Sequence, residues 1–157
     1  MMTYNIRSYE PQDGPKLVVL LNNYISEQYN AGCRIPPGTE SALALLCTIS
    51  SIVEGKLPGA VLVAESPEGL LGFTTFYMTP AHPRTRGRIA VSFINYVTPR
   101  ARRIGIARAF IHEKEARARA LGATVMSTIV RKSNTPSLDL VAKLGYNVEE
   151  LVLTKEL

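Results

Sequence analysis

In the segment "YVTPRARRIGIARAFIHE", Tyr96–Glu113, a strand runs through a basic loop into a helix. The strand reads back to Arg88, in "RIAVSFINYVTP", and the helix covers residues 104–121. Between them lies Arg102-x-x-Gly105-x-Ala107. The first backbone N–H groups of a helix have no partner inside it, and they point outward beside the positive end of its dipole. Gly105 lets a ligand approach the backbone, and Ala107 keeps the next position small. Arg102, Arg103 and Arg108 add charge-assisted donors. Such a loop is an anion cradle suited to a pyrophosphate. It is not a Walker A loop, because no Gly-Lys-Ser/Thr follows, and it is not a dinucleotide fingerprint, because GxGxxG is absent.

The charge around this segment is concentrated. Arg84, Arg86, Arg88, Arg100, Arg102, Arg103, Arg108, Lys114, Arg117 and Arg119 are ten of the 18 basic residues, against two acids, Glu113 and Glu115. The whole chain of 157 residues carries a formal net charge of +5. Anionic partners are favoured by that balance, whether nucleic acid or a phosphorylated cofactor. Several of these cations have plainer explanations. Arg117 and Arg119 lie late in their helix, where cations suit the dipole. Arg84, Arg86 and Arg88 read as loop charge that keeps the protein in solution.

Outward from the loop, the chain reads β, α, α, β, β, β, α, β, α, β. "TYNIRSYE" alternates as a short strand. "PQDGPKLVVLLNNYISEQY" is a helix capped by Asp13, with Pro15 in its first turn. "TESALALLCTISSIVEG" is a second helix, from Thr39 to Gly55. "GAVLVAES" and "GLLGFTTFYMT" form a hairpin across Ser66–Gly69. Ala107, Phe110, Ile111, Ala118 and Leu121 are the expected buried face of the third helix, with Gly122 at its end. "ATVMSTIV" is expected to be a buried strand. "NTPSLDLVAKLG" is a short helix with Asn134 near its start, and "YNVEELVLTKE" is a last strand. No repeat or linker divides the chain, so a single domain over 1–157 is expected. Cys33 and Cys47 give no disulfide framework, and the N-terminus lacks a signal-peptide apolar region. A cytoplasmic protein without a membrane span follows from this reading. His82 and His112 stand alone, so no metal site is expected.

Four segments, in order and at the right spacing, resemble the GNAT family of N-acetyltransferases. "IRSYEPQDGPKLVVLLN" is similar to its first strand and helix, and "LGFTTFYM" to its third strand. "YVTPRARRIGIARAFIHEKEARARALGA" resembles its acetyl-CoA motif, Arg/Gln-x-x-Gly-x-Gly/Ala after Val-x-Pro. "NTPSLDLVAKLGYN" resembles its Asn-x-x-Ala-x-x-x-Tyr-x-x-x-Gly-Phe motif. The resemblance implies a mixed α/β fold. Its central sheet, mostly antiparallel and of about six strands, is flanked by four helices and contains one splayed parallel pair.

The resemblance also implies a site. Acetyl-CoA would lie between the strand ending at Val97 and the strand 123–130. Its pantetheine would pair with the backbone of Asn95, Tyr96 and Val97. Its pyrophosphate would sit on the N–H groups of Arg103, Ile104, Gly105, Ile106, Ala107 and Arg108, beside Arg102. Asn134 and Ser137 would touch the pantetheine, although each also fits an ordinary helix start. A backbone N–H near Asn95 would polarise the acetyl carbonyl. The reaction would be direct attack by a primary amine on the thioester, which requires a base and an acid.

Those two groups are not legible. Val141 stands where the family has its tyrosine acid. The strand before Val97 places Val91 and Phe93 on the face where a base is usual, and offers only Ser92, Asn95 and Tyr96 as polar groups. Glu40, Glu149 and Glu150 are the remaining candidates for the base. An acceptor amine of low pKa, such as a protein N-terminus, would need less help than a lysine. Eleven residues follow Tyr146, room for one strand. The implied acceptor groove is open, suited to a macromolecule or to completion by a second protomer of a homodimer. Two alternatives stand beside the enzyme: an acyl-CoA-binding module on the same fold, and a nucleic-acid-binding protein using the arginines directly.

Overall fold

A computed structural model of the chain describes residues 3–32, 39–79 and 87–149, without the side chains of 39–41. Five strands form one sheet in the order β1-β2-β3-β4-β5: β1 Asn5–Ser8, β2 Gly59–Ser66, β3 Gly69–Met78, β4 Arg88–Val97 and β5 Ala123–Thr128. Neighbours are antiparallel except β4 and β5, which are parallel. Four helices accompany them: α1 Gly14–Asn30, α2 Thr39–Val53, α3 Ile106–Ala120 and α4 Thr135–Lys143. A parallel pair needs a crossover, and α3 supplies it between β4 and β5. The expected mixed α/β architecture with one parallel pair is therefore present.

Side-chain alternation assigns the two faces of the sheet. Val61, Val63, Phe73, Ile94 and Tyr96 point to one face and pack with Leu17, Leu20, Leu21 and Ile25 of α1 and Ile49 and Ile52 of α2. Leu62, Ala64 and Leu71 point to the other face and pack with Ile106 and Phe110 of α3. Phe76 and Ala90 meet Ala118 of the same helix. The β2–β3 hairpin turns at Pro67-Glu68, where the Glu68 N–H donates to Ser66 Oγ and that hydroxyl donates to the Gly69 carbonyl, both at 3.2 Å.

Four expectations are corrected. Asp13 does not cap α1 with its side chain. Its carboxylate, buried, takes two hydrogen bonds from Arg7, at 2.7 and 2.9 Å, and one from the Glu10 N–H at 2.9 Å. The nearby guanidinium, at the edge of β1, holds the Asp13 carboxyl below its usual range. β5 is not buried: Thr124, Val125 and Ser127 are exposed. It is the last strand of the described sheet, and half of its residues are exposed. α3 buries Ile106, Phe110, Ile111, Lys114 and Ala118. Leu121 falls outside the helix and is 38% exposed, because Gly122 at φ +85° ends the helical path there. The expected last strand is absent over Tyr146–Glu149, and its remainder, with Glu150, lies outside the described residues. Cys33, Arg84, Arg86, His82 and the Glu40 side chain also lie outside them. No described helix is long and apolar enough to cross a membrane.

Candidate active site

The site begins where β4 and β5 part. Their ladder runs from Arg88↔Ala123 to Ser92↔Thr128 and stops there. β4 continues for five more residues on β3 alone, to Gly72↔Val97. The pairs Thr75↔Ile94 and Phe76↔Ser92 leave Phe93 unopposed, a β-bulge. A bulge bends its strand and raises the local twist. The second half of β4 thus swings away from β5, and a wedge opens with Ser92 and Thr128 at its apex.

A cavity of about 380 Å³ fills this wedge. Its walls are Ser92, Phe93, Ile94 and Asn95 on one side and Thr128, Ile129, Val130 and Arg131 on the other. Tyr24, Ile25 and Gln28 of α1, with Ala44 and Leu45 of α2, close it from one face of the sheet. Ile111 and Lys114 of α3 close it from the other. Asn134, Ser137, Leu140, Val141 and Tyr146 complete the lining. Tyr146 is carried in by the end of α4. Gly145, at φ +87°, donates to the Ala142 carbonyl, and the Tyr146 N–H donates to the Val141 carbonyl, each at 3.1 Å. This reversal turns the chain back on the helix. The Tyr146 hydroxyl then donates to Glu115 at 2.9 Å, and burial and that carboxylate hold its pKa above the usual tyrosine range.

The basic loop follows directly from the end of β4. A short 3₁₀ turn, Pro99–Ala101, buries Ala101 as an anchor. Arg103 then takes φ +68° and Gly105 φ +96°, backbone that favours glycine at 105. The first helical bond of α3 runs from the Ala109 N–H to the Gly105 carbonyl at 3.0 Å. No side chain among the described residues caps this helix. The N–H groups of Ile106, Ala107 and Arg108 therefore lack intrahelical acceptors. Those of Arg103, Ile104 and Gly105 have no backbone acceptor among the described residues.

The arginines separate into two groups. Arg100 pairs with Glu68 at 3.0 Å, Arg117 with Glu113 at 2.9 Å and Arg119 with Glu115 at 3.3 Å. Arg88 donates to the Leu121 carbonyl at the end of α3, 2.9 Å away. Arg102 donates to the Val97 carbonyl at 3.0 Å and to Glu27 at 2.5 Å. Glu27 also accepts from the Tyr96 hydroxyl at 3.2 Å, and burial beside this carboxylate pushes the Tyr96 pKa up to about 12. Only Arg103 and Arg108 of the loop are without a hydrogen-bond or ion-pair partner among the described residues.

Of the residues singled out in the sequence, Asn95, Asn134 and Ser137 line the cavity. Asn134 also caps α4, accepting from the Ser137 N–H at 3.3 Å. Tyr96 turns into the core against Phe73 and Tyr24, and Val97 packs beside the second cluster. Arg102 to Arg108 form the loop beyond the strand end and do not line the cavity. Val91 and Glu149 lie outside it, and His112 is exposed. Sequence reading missed Glu27 and Lys114. Glu27 stands near the C-terminus of α1, where the dipole disfavours an acid, so its position called for a cation. Lys114 continues the four-residue spacing of Ile106, Phe110 and Ala118, which places it on the buried side of α3.

The chain matches the acetyltransferase (GNAT) family over residues 24–146. It belongs to that family, whose members are acetyl-CoA-dependent N-acetyltransferases. Solved structures share the fold at low identity. A transcriptional regulator from Bacillus halodurans superposes with a TM-score of 0.77 at 18% identity, covering 99% of this chain and 100% of its own. Glucosamine-6-phosphate N-acetyltransferase from Arabidopsis thaliana gives 0.72 at 14% identity, covering 98% of each chain. An aminoglycoside acetyltransferase from an uncultured soil metagenomic sample gives 0.71 at 21% identity and 99% of each. No curated protein matches the chain in sequence.

Proposed function

We infer that this chain transfers the acetyl group of acetyl-CoA directly to a primary amine, binding the cofactor in the wedge between β4 and β5. One observation carries this reading. The wedge and the basic loop are consecutive on one strand, so a single extended molecule can occupy both. The fit is chemical. The loop offers a run of unpaired N–H groups and two free guanidinium groups, which suits a pyrophosphate. The cavity walls are mainly apolar, with Ile25, Leu45, Ile94, Ile129, Leu140 and Val141, which suits a pantetheine arm and keeps water from a thioester.

When bound, acetyl-CoA supplies an acetyl group activated as a thioester. The chain's residues do the rest. The N–H groups of Arg103–Arg108 hold the anionic end. The free edge of β4 from Phe93 to Val97 orients the arm, and the Asn95 backbone N–H assists the acetyl carbonyl. Arg102, held by Glu27 and the Val97 carbonyl, locks the strand end to α1 and so fixes the distance between cradle and cavity.

Thermal shift with acetyl-CoA, followed by thiol release in the presence of a panel of primary amines, tests the reading. Stabilisation by acetyl-CoA and amine-dependent release of coenzyme A are expected. Tight binding with no thiol release over hours would leave an acyl-CoA-binding module. No binding at all, with RNA or DNA binding that weakens steeply with salt, would leave a nucleic-acid protein.

A further inference from the structure

Direct acetyl transfer takes one proton from the acceptor amine and gives one to the departing sulfur. Val141 can do neither. The buried side of α3 holds a group that can do both. Lys114 is 3% exposed and faces the cavity, where its Nζ donates to Ser92 Oγ at 2.5 Å. Ser92 is the last β4 residue paired with β5, so this amine sits at the apex of the wedge. It has no other hydrogen bond and no ion pair among the described residues.

A buried ammonium without a counter-charge is strongly disfavoured. Burial accordingly pulls the Lys114 pKa down to about 7, with Glu115 opposing the shift. Among the described residues, the surrounding groups do not supply a partner. Glu115, on α3 itself, is engaged by Tyr146 and Arg119. β4 presents Ser92, and the described side chains of α2 present Ala44 and Leu45. Tyr24 from α1, Arg131 after β5 and Tyr146 after α4 are the other titratable groups of the lining, and none is a carboxylate.

Resting on the acetyl-transfer reading above, we propose that Lys114 carries the proton of the reaction: its neutral Nζ accepts the proton that the acceptor amine loses, and the resulting ammonium protonates the departing sulfur. The N–C bond forms and the C–S bond breaks. The proton passes from nitrogen to Nζ to sulfur, and Lys114 ends each turnover neutral. Nitrogen and sulfur meet at the same acetyl carbon, so one group beside that carbon reaches both. A thiol pKa of about 8.5 lies above that of Lys114, which makes the second transfer downhill. Ser92 is a positioning residue, holding Nζ at the apex.

The first test needs no turnover. Carbon-13 NMR of lysine-labelled wild-type protein follows each Cε through a pH titration. Lys16, Lys56, Lys132 and Lys143 are exposed. One resonance titrating at about 7 and lost in Lys114→Met is expected. Titration of every lysine at about 10 would overturn the proposal.

The second test is kinetic. In Lys114→Met, whose side chain fills the same buried stem, thiol release with a primary amine falls about 10²-fold or more, while acetyl-CoA binding stays within threefold. The wild-type kcat/KM rises with pH through about 7, beyond the titration of the amine itself, and the variant loses that limb. Lys114→Arg, always charged, does not restore it. Unchanged turnover and pH profile in Lys114→Met would sink this proposal and leave the acetyl-transfer reading intact. Failure of the wild type to bind acetyl-CoA would sink both. Stable acetylation of Lys114 on incubation with acetyl-CoA, seen by mass spectrometry, would also overturn it, since a lysine that keeps the acetyl group is an acceptor and not a proton carrier.

Discussion

Lys114 shows how one side chain couples stability to chemistry. Its folded pKa, about 7, is depressed from 10.5. The unfolded chain then binds more protons than the folded one between those values, so stability rises with pH across that window. The cost of burying this lysine is fully present below about 7 and disappears towards about 10. Lys114→Met should therefore raise the melting temperature by several degrees at slightly acidic pH, and the gain should shrink as the pH is raised. Parallel melting curves at all pH values would mean that no charge is buried there. The Arg7–Asp13 pair has the opposite sign. The Asp13 carboxyl is held low by Arg7, so its contribution is present above the ordinary carboxylate range and lost as the pH falls through the depressed value. Removing the cation with Arg7→Met leaves a buried, uncompensated carboxylate and should cost about 3 kcal/mol at neutral pH in urea unfolding.

At the scale of elements, the role proposed for the loop from Arg102 to Arg108 rests on a backbone bent to expose N–H groups. Gly105 at φ +96° is central to that bend. Space is not the constraint, since an added Cβ would meet only the Tyr4 hydroxyl, at 3.5 Å. Gly105→Ala should cost about 1–2 kcal/mol of stability through backbone strain and keep acetyl-CoA binding. Gly105→Glu should carry the same strain and lose binding, because a carboxylate then faces the pyrophosphate. Equal binding by both variants, measured by calorimetry, would rule out the cradle. The loop and its helix were legible in the sequence because strand, glycine and helix start follow one another locally. The hairpin was legible for the same reason. What was hidden depends on partners far along the chain. Asp13 has the form of a helix cap, yet Arg7 from β1 claims its carboxylate. Glu27 meets Arg102 across 75 positions of sequence. Lys114 belongs by charge to the arginine run and by spacing to the core, and the charge masked the spacing. The exposure of β5 depends on sheet order, which local pattern does not encode.

At the scale of the molecule, the sheet holds the wedge open. β3 must carry the end of β4 after β5 has left it, and the two strands approach closely at their last pair. A Cβ on Gly72 would stand 2.4 Å from the Tyr96 carbonyl oxygen. Gly72→Ala should therefore destabilise the protein by about 1–3 kcal/mol. It should also weaken acetyl-CoA binding more than Gly105→Ala does, since it displaces the strand that feeds the loop. The cationic run takes its meaning from this architecture. Among the described residues, most of its arginines are spent on local pairs and helix ends, and the two without partners, Arg103 and Arg108, stand in the loop proposed as the cradle.

The most direct measurement is a backbone amide NMR titration of the whole chain with acetyl-CoA. Saturable shifts are predicted for the amides of Arg103–Arg108 and of Phe93–Val97, with smaller changes on the outer surface of α1. Binding of acetyl-CoA that left both segments unmoved would contradict the account.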